Sequence, residues 1–222
     1  PDTRFGFELQ DITDKVKDCE FKVFTDAIAA GGSVRAIGVT GAAESYTRKK
    51  IDKLTEAVKS YGARGMVWMK VADDGVSSSV NKFFSPEQLA DIAEGLGAKS
   101  GDLILIISDS NKVVYDSLGF LRRHIAGEMG LLDDNQFNFL WVVDFPLFEY
   151  DEKEDRWSAM HHPFTSPKDE DADKLKTDPH SCMANAYYIV LNGVELGGGS
   201  IRIHDREMQE DMFKALNMGQ EE

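Results

Sequence analysis

The pattern of apolar and polar residues changes along the chain and divides it into three stretches. Within residues 1–18, the side chains at positions 5–9 alternate between apolar and small or polar, the period of two expected for a strand. The start of a helix follows. An isolated strand needs a partner sheet, and the segment after it predicts elements of its own. We therefore expect the strand to pair with the C-terminal part of the chain.

Residues 19–132 predict a self-contained α/β module, because apolar runs of strand length alternate with apolar residues at helical spacing. Its best-defined helix opens with Ser85, Pro86 and Gln88 in the arrangement of a capping box. The predicted strands are 21–24, 34–39, 65–71 and 103–107, and the predicted helices are 47–61, 85–97 and 111–129.

Residues 133–222 predict a third stretch, built mainly of strands. Asn192 and Gly193 separate two apolar runs, which is the strongest short signal for a β-hairpin. Residues 186–191 should therefore pair with 194–203 as antiparallel strands. The other predicted elements are a strand over 139–148, an acidic turn over 149–155, a strand over 157–160 and an amphipathic helix over 207–216.

The candidate chemistry lies in and after that hairpin. Gly197, Gly198 and Gly199 are consecutive, and because glycine weakens a strand, they indicate a close approach by a ligand or another backbone. The planar guanidinium of Arg202 suits a carboxylate ligand, and Glu195 suits a metal ion or a ribose hydroxyl. The alternative is an edge strand whose arginine and glutamate pair only with neighbouring side chains. The pattern alone does not decide between the two.

Two adjacent histidines, His161 and His162, follow the strand predicted over 157–160. Neighbouring strand residues face opposite sides, so one imidazole can face a cleft while the other has a structural role. No further Cys or His lies at a spacing that would complete a zinc site.

The charge and cysteine content restrict the partners and the compartment. The 222 residues carry 25 basic and 39 acidic side chains, a net charge of −14, so the chain is a poor non-specific ligand for nucleic-acid phosphates. Its cysteines, Cys19 and Cys182, form no disulfide framework, which favours a reducing, cytoplasmic location. The sequence shows no signal peptide and no apolar run of membrane-spanning length, so we expect no membrane association.

Three strings, 141–146, 161–167 and 192–204, together resemble the bacterial type of aspartyl-tRNA synthetase, and residues 1–6 resemble that enzyme shortly after class II motif 2. The resemblance covers essentially the whole chain, in the right order. It implies an α+β fold. Residues 1–18 and 133–222 would belong to the antiparallel sheet of a class II catalytic domain. Residues 19–132 would be an inserted α/β GAD domain, which is shared with a subunit of the tRNA-dependent amidotransferases.

The resemblance implies an aspartate–tRNA ligase, which joins L-aspartate to the α-phosphate of ATP, releases pyrophosphate and transfers the aspartyl group to tRNA. By motif, His161 and His162 would contact aspartate, and Arg202 would bind its side-chain carboxylate. Glu195 would bind ATP directly or through Mg²⁺, and the glycines at 197–199 would let the nucleotide lie against the backbone.

One position departs from the family pattern. The family often carries an aspartate, the second carboxylate of a metal site, where this chain has Tyr188. A tyrosine is no substitute for a Mg²⁺ carboxylate. Either Glu195 acts with residues outside this chain, or metal binding is weakened.

The resemblance also implies a homodimeric full-length enzyme, whose interface is built largely from motif 1. The alternative is a non-catalytic module in which residues 19–132 bind tRNA or serve an architectural role. A cavity shared by Arg202, His161 and Glu195 would favour the enzyme, whereas an Arg202 paired at the surface would favour the module. Charging of asparagine tRNA as well would be decided in an anticodon-binding domain, which these residues do not include.

We expect the chain to be inactive by itself, because the arginines that hold the α- and γ-phosphates of ATP belong to class II motifs 2 and 3. The resemblance places those motifs outside these residues. Purified chain supplied with L-aspartate and ATP should catalyse no measurable ATP–pyrophosphate exchange. Appreciable turnover would refute this expectation.

Overall fold

The computed structural model describes residues 1–151 and 153–218, and the chain forms two compact units. The larger unit is Arg4–Asp133, and the smaller unit combines Pro1–Thr3 with Asp134–Glu222. The units divide after Thr3 and again after Asp133, and the division after Asp133 lies one residue from the predicted boundary after 132. The first division differs from the prediction, because residues 4–18 pack within the larger unit. No described helix has the length and apolar character needed to cross a membrane.

The larger unit is a five-stranded sheet with helices packed against it. In chain order its elements are β1 (Gln10–Asp11), α1 (Thr13–Val16), α2 (Lys22–Ala29), β2 (Ser33–Val39), α3 (Arg48–Lys59), β3 (Val67–Ala72), β4 (Gly75–Ser78), α4 (Pro86–Gly95), β5 (Leu103–Asp109) and α5 (Asn111–Glu128). The strands lie in the order β1-β2-β5-β3-β4, and every neighbouring pair is antiparallel. The capping box predicted at Ser85 is present.

Two hydrophobic clusters explain why the sequence of β5, the central strand of the sheet, is one continuous apolar run. Leu103, Leu105 and Ile107 pack with residues of α3 and α5, whereas Ile104 and Ile106 pack with residues of α1, α2 and α4. All five are at most 2% exposed. Because successive side chains of a strand face opposite sides, a strand covered on both faces loses its polar alternation.

The antiparallel order corrects the prediction of an α/β module. Helices and strands do alternate along the chain, but β5 lies between β2 and β3 and is antiparallel to both. The connection through α3 therefore joins two strands that are not neighbours. The unit is an α+β sheet rather than a parallel α/β sheet.

The strand predicted over 5–9 is wrong. Gly6 and Phe7 have φ angles of 70° and 52°, which no strand tolerates, and Arg122 donates hydrogen bonds to both of their carbonyl oxygens. The first described strand is Gln10–Asp11, and it pairs with Ser33–Val39 rather than with the C-terminal part.

The strand predicted over 21–24 is also wrong, because a helix begins at Lys22. Phe24 is buried and its ring meets that of Phe21 edge-on at 4.9 Å. A four-residue apolar run does not distinguish a buried strand from the first turn of a buried helix.

The smaller unit contains several short antiparallel pairings. Its elements are β6 (Phe139–Val142), β7 (Phe145–Pro146), β8 (Phe148–Asp151), β9 (Arg156–Ala159), β10 (Met183–Ala184), β11 (Ala186–Leu191), β12 (Val194–Ser200) and α6 (Arg206–Ala215). The main sheet has the order β12-β11-β6, while β7 pairs with β10 and β8 with β9. The predicted hairpin is confirmed over 186–191 and 194–200, with φ angles of 50° at Asn192 and 83° at Gly193, whereas the predicted pairing of 201–203 is wrong because Arg202 bridges Thr165 instead.

The long strand predicted over 139–148 is broken into three. Asp144 has a φ angle of 61°, which ends the first strand, and Pro146 lies in a two-residue strand. Proline has no amide hydrogen for a sheet ladder, so the break follows from its chemistry. Glu152, within the predicted acidic turn, lies outside the described residues.

Asp171 is a buried carboxylate, 4% exposed, that links two segments of the smaller unit. Its Oδ1 accepts a hydrogen bond from Lys174 Nζ at 2.5 Å, and its Oδ2 accepts one from Met183 N at 2.8 Å. The bond from Lys174 has the larger effect and the bond from Met183 the next, and together they hold the pKa of Asp171 below its usual value of 3.8. A carboxylate with a depressed folded-state pKa stabilises the fold above its unfolded pKa and loses that contribution as the pH falls.

We therefore expect the free energy of unfolding to decrease as the pH is lowered from about 5 to about 2, and Asp171→Asn to reduce that decrease. Urea unfolding curves at several pH values measure it. Asp173→Asn is the matched control, because Asp173 is exposed and has no hydrogen bond or ion pair to a described residue. An Asp171→Asn variant with the wild-type pH dependence would contradict the assignment.

Candidate functional site

The register of the hairpin decides where its glycines lie. Tyr188 pairs with Gly198, and Tyr187 pairs with Gly199. Since neighbouring residues of a strand face opposite sides, the two tyrosines cover two different glycines on the two faces of the sheet.

Packing explains two of the three glycines. A Cβ atom on Gly198 would lie 2.1 Å from Tyr188 Cδ1, and a Cβ atom on Gly199 would lie 2.9 Å from Tyr187 Oη. A Cβ atom on Gly197 would meet nothing within 4 Å. Aromatic rings that lie across a cross-strand glycine are a recurrent device of β-sheets. Of the three glycines, only Gly197 therefore has open space in the direction of a side chain.

His161 belongs to an aromatic cluster on the Tyr188 face of the sheet. Its ring lies 4.8 Å from that of Phe145 and 5.5 Å from that of Tyr188, measured between centroids. The Nδ1 atom of His161 is buried and has no hydrogen-bond partner among the described residues. A buried polar atom without a partner costs free energy, and because this nitrogen is closed to solvent, a ligand reaches it only if the surrounding side chains move.

His162 and Arg202 share a pocket of about 680 Å³ at the other side of this segment. The Nδ1 atom of His162 accepts a hydrogen bond from Phe164 N at 3.1 Å. The neutral imidazole therefore carries its proton on Nε2, which makes Nε2 a donor. The pocket is lined by His162, Phe164, Arg202, Ile203, Gln209 and Phe213.

Backbone hydrogen bonds hold Arg202 beside the histidine segment. Ser166 N donates to Ile201 O, and Ile203 N donates to Phe164 O, both at 2.8 Å. These bonds leave the Arg202 side chain exposed, and its guanidinium makes no hydrogen bond or ion pair with the residues that the structure describes. The backbone at Arg202 is thus held in place while its guanidinium has no partner among the described residues, so the expected pairing with a neighbour is not found there.

Glu195 lies apart from that pocket. It pairs with Val190 beside a β-bulge, is exposed, and has no hydrogen-bond or ion-pair partner within residues 1–151 and 153–218. Tyr188, two residues from Val190, occupies the same face with its ring. Across the described residues, no three His, Cys, Asp or Glu side chains are arranged to hold a metal ion. A single carboxylate beside a phenol ring does not fit a Mg²⁺ site built by this chain alone.

The structure thus brings together some of the predicted site residues and separates others. Arg202 and His162 share one pocket, whereas His161 and Glu195 do not line it. The sequence interpretation missed Gln209, which donates from Nε2 to Pro163 O at 3.0 Å and lines the pocket. Gln209 and Phe213 are one helical turn apart, so the predicted helix already placed them on one face.

The two kinds of glycine give a matched pair of substitutions. Gly198→Ala must displace the Tyr188 ring and should lower the free energy of unfolding by roughly 1–3 kcal/mol. Gly197→Ala has open space and should change it by less than about 0.5 kcal/mol. Thermal or urea unfolding measures both. In a Tyr188→Ala background the cost of Gly198→Ala should fall but not vanish, because the Cβ atom would still lie 2.9 Å from the backbone oxygen of Tyr187. An unchanged cost in that background would contradict the steric role of the Tyr188 ring.

Comparison with known proteins supplies independent information. Residues 24–118 match the GAD domain family. All 222 residues align, at 52% identity, with the aspartate–tRNA(Asp/Asn) ligase of Anoxybacillus flavithermus. The corresponding enzyme of Bacillus anthracis is 53% identical, and the aspartate–tRNA ligase of Staphylococcus carnosus is 51% identical. In each case the match covers 100% of this chain and 38% of the relative.

The chain therefore spans 38% of the length of the curated relatives it matches. The predicted GAD module of 19–132 contains the matched range 24–118. The resemblance inferred from the sequence is confirmed: residues 24–118 match the GAD domain family, and the whole chain is similar to a part of bacterial aspartate–tRNA ligases.

Proposed function

We propose that this chain is the part of an aspartate–tRNA ligase that recognises L-aspartate. The complete enzyme would activate L-aspartate with ATP and transfer it to tRNA. The observation that carries the proposal is the guanidinium of Arg202, which shares one pocket with His162 and has no partner in the part of the chain that the structure describes. The identity of about half over the whole chain to aspartate–tRNA ligases supports it.

Arg202 would bind the side-chain carboxylate of L-aspartate through two parallel hydrogen bonds, the geometry that a guanidinium offers to a carboxylate. The Nε2 hydrogen of His162 provides a further donor at the same pocket. Asparagine would turn an amide NH₂ group toward these donors. That mismatch would weaken the binding free energy of asparagine by roughly 1–3 kcal/mol, which is the physical basis for preferring aspartate.

His161 would serve the substrate from the Tyr188 face. Its buried Nδ1 atom lacks a partner among the described residues, and a polar group of the ligand would satisfy it once the surrounding side chains move aside. Because His161 does not line the pocket of Arg202, the two histidines would contact different groups of the substrate.

ATP would lie along β12, with Glu195 and Gly197 as its first contacts. Glu195 is exposed and unpaired among the described residues, and Gly197 leaves its backbone open. Contact with Gly198 or Gly199 requires the Tyr188 or Tyr187 ring to rotate away. Reaction at the α-phosphate depends on positioning and charge neutralisation, so these residues would orient the reactants rather than form a covalent intermediate.

The remaining partners belong to the whole enzyme in this proposal: tRNA, a second copy of the enzyme in a homodimer, and a cytoplasmic location. The net charge of −14 supports a division of labour in which phosphate contacts to tRNA lie mainly outside this chain. The GAD domain at 24–118 would be an insert that serves tRNA contact or architecture. The alternative of a non-catalytic module gains no support from Arg202, which is unpaired among the described residues, but the cavity of Arg202, His161 and Glu195 that would favour the enzyme is not found there either.

Binding of L-aspartate to the 222-residue chain tests the proposal. We expect L-aspartate to shift the NMR signals of His162 and Arg202, and L-asparagine to shift them much less. Arg202→Gln should weaken L-aspartate binding roughly tenfold or more, because it removes a charged hydrogen-bond donor. Arg206→Gln is the matched control, since the Arg206 side chain is 94% exposed and pairs with Glu210. Equal binding of the two amino acids would overturn the proposal.

A further inference from the structure

The larger unit contains a cavity of about 620 Å³ that the proposed function does not use. It lies beside α2, where the segment 64–67 enters β3 and where β5 ends and passes into α5. Its volume falls within the range of roughly 300–1,000 Å³ that small-molecule sites occupy. The inference drawn from it does not rest on the proposed function.

The interior of this cavity is apolar and rigid. Met66, Val80 and Ile106 line it and are 9%, 6% and 2% exposed. The rings of Phe21 and Phe83, which also line it, lie 4.9 Å apart between centroids. Side chains that are fixed by packing give a preformed surface, so the body of a ligand here would be aromatic or branched aliphatic.

The rim of the cavity carries carboxylates with free hydrogen-bonding capacity. Asp26 is exposed on α2, and its carboxylate makes no hydrogen bond or ion pair to any described residue. Asp109 uses Oδ1 to accept a hydrogen bond from Ser110 N at 2.8 Å, and its Oδ2 has no described partner. Asp109 bonds the amide of Ser110, the N-cap residue of α5, so its negative charge lies at that end of the helix and offsets the positive end of the helix dipole.

Arg64 is the only cationic side chain on the described lining, opposed by the two carboxylates Asp26 and Asp109. The net charge of the chain, −14, adds a field that concentrates cations at its surface. The Lys82 ammonium already lies 4.8 Å from the centroid of the Phe83 ring, so a further cation–π attraction for a ligand ammonium is left to the Phe21 ring. An anion would meet Arg64 but also both carboxylates.

We propose that this cavity binds a small amphipathic cation, with an aromatic or branched aliphatic body and an ammonium group that faces Asp26. The body fills the apolar interior, and the ammonium donates hydrogen bonds to the carboxylate. The GAD domain, which contains most of the lining residues, thereby has a ligand site of its own.

Three probes of one shape and different charge test the proposal on the 222-residue chain: phenethylamine, 2-phenylethanol and phenylacetate. NMR titration gives both affinity and location. We expect phenethylamine to bind with a Kd on the order of 1 mM, a value typical of a ligand of this size. It should bind at least about fivefold more tightly than 2-phenylethanol, with phenylacetate weakest. The shifted signals should include those of Asp26, Phe83 and Ser108.

Asp26→Asn should remove the preference for the amine and leave the affinity for 2-phenylethanol unchanged. Asp74→Asn is the matched control, because Asp74 is an exposed carboxylate in the turn between β3 and β4, outside the lining. It changes the net charge by the same amount and should leave all three affinities unchanged.

Three results would overturn the proposal. They are phenylacetate binding as tightly as phenethylamine, no shifted signal at 20 mM amine (on the order of twenty times the expected Kd), and an equal loss of amine affinity in Asp26→Asn and Asp74→Asn. None of these results bears on Arg202 and L-aspartate, so failure here is distinguishable from failure of the proposed function.

Discussion

Backbone pairing between β11 and β12 is the interaction on which the candidate site depends. The left-handed turn at Asn192 and Gly193 fixes its register, because φ is positive at both residues. With that register, Tyr188 lies over Gly198, and the chain leaves the hairpin at Ser200 in position to run beside residues 162–166. A slip of one residue would move every side chain of the strand to the other face and separate Arg202 from His162.

The same register gives Gly198 and Gly199 a role that the glycine triplet in the sequence does not reveal. Gly198 and Gly199 are required by the Tyr188 and Tyr187 rings, which bury part of their surface against a backbone without side chains. A ligand that needs this backbone must compete with two aromatic rings. The position of Tyr188 therefore affects packing and ligand access together, and it also removes the carboxylate that a metal ion would need beside Glu195.

The larger unit owes its stability to a different arrangement, in which β5 is buried on both faces by two separate clusters. The cavity between α2 and the end of β5 lies at the margin of one of these clusters, where residues 64–66 have not yet joined β3. Apolar side chains fixed by the cluster line the cavity, while the strand ends and α2 contribute its polar rim. A ligand there would extend an existing core rather than require a new one.

Local signals in the sequence determined the elements that depend on neighbouring residues. The capping box at Ser85 and the Asn-Gly turn at 192–193 each act within a few residues, and both are present as predicted. The motifs also singled out Arg202 and His162, because a guanidinium and an imidazole have the same chemistry in any fold. The match of the whole chain to aspartate–tRNA ligases agrees with those motifs.

Only the tertiary structure decided what depends on contacts between distant residues. Arg122 holds Gly6 and Phe7 in a conformation that their alternating pattern contradicts, and β5 inserts between β2 and β3 to make the sheet antiparallel. Gln209 reaches the pocket because α6 packs beside it, and His161 does not line the pocket that His162 and Arg202 share. Such contacts join residues far apart in the chain, and a local pattern carries no information about which distant partner will be there.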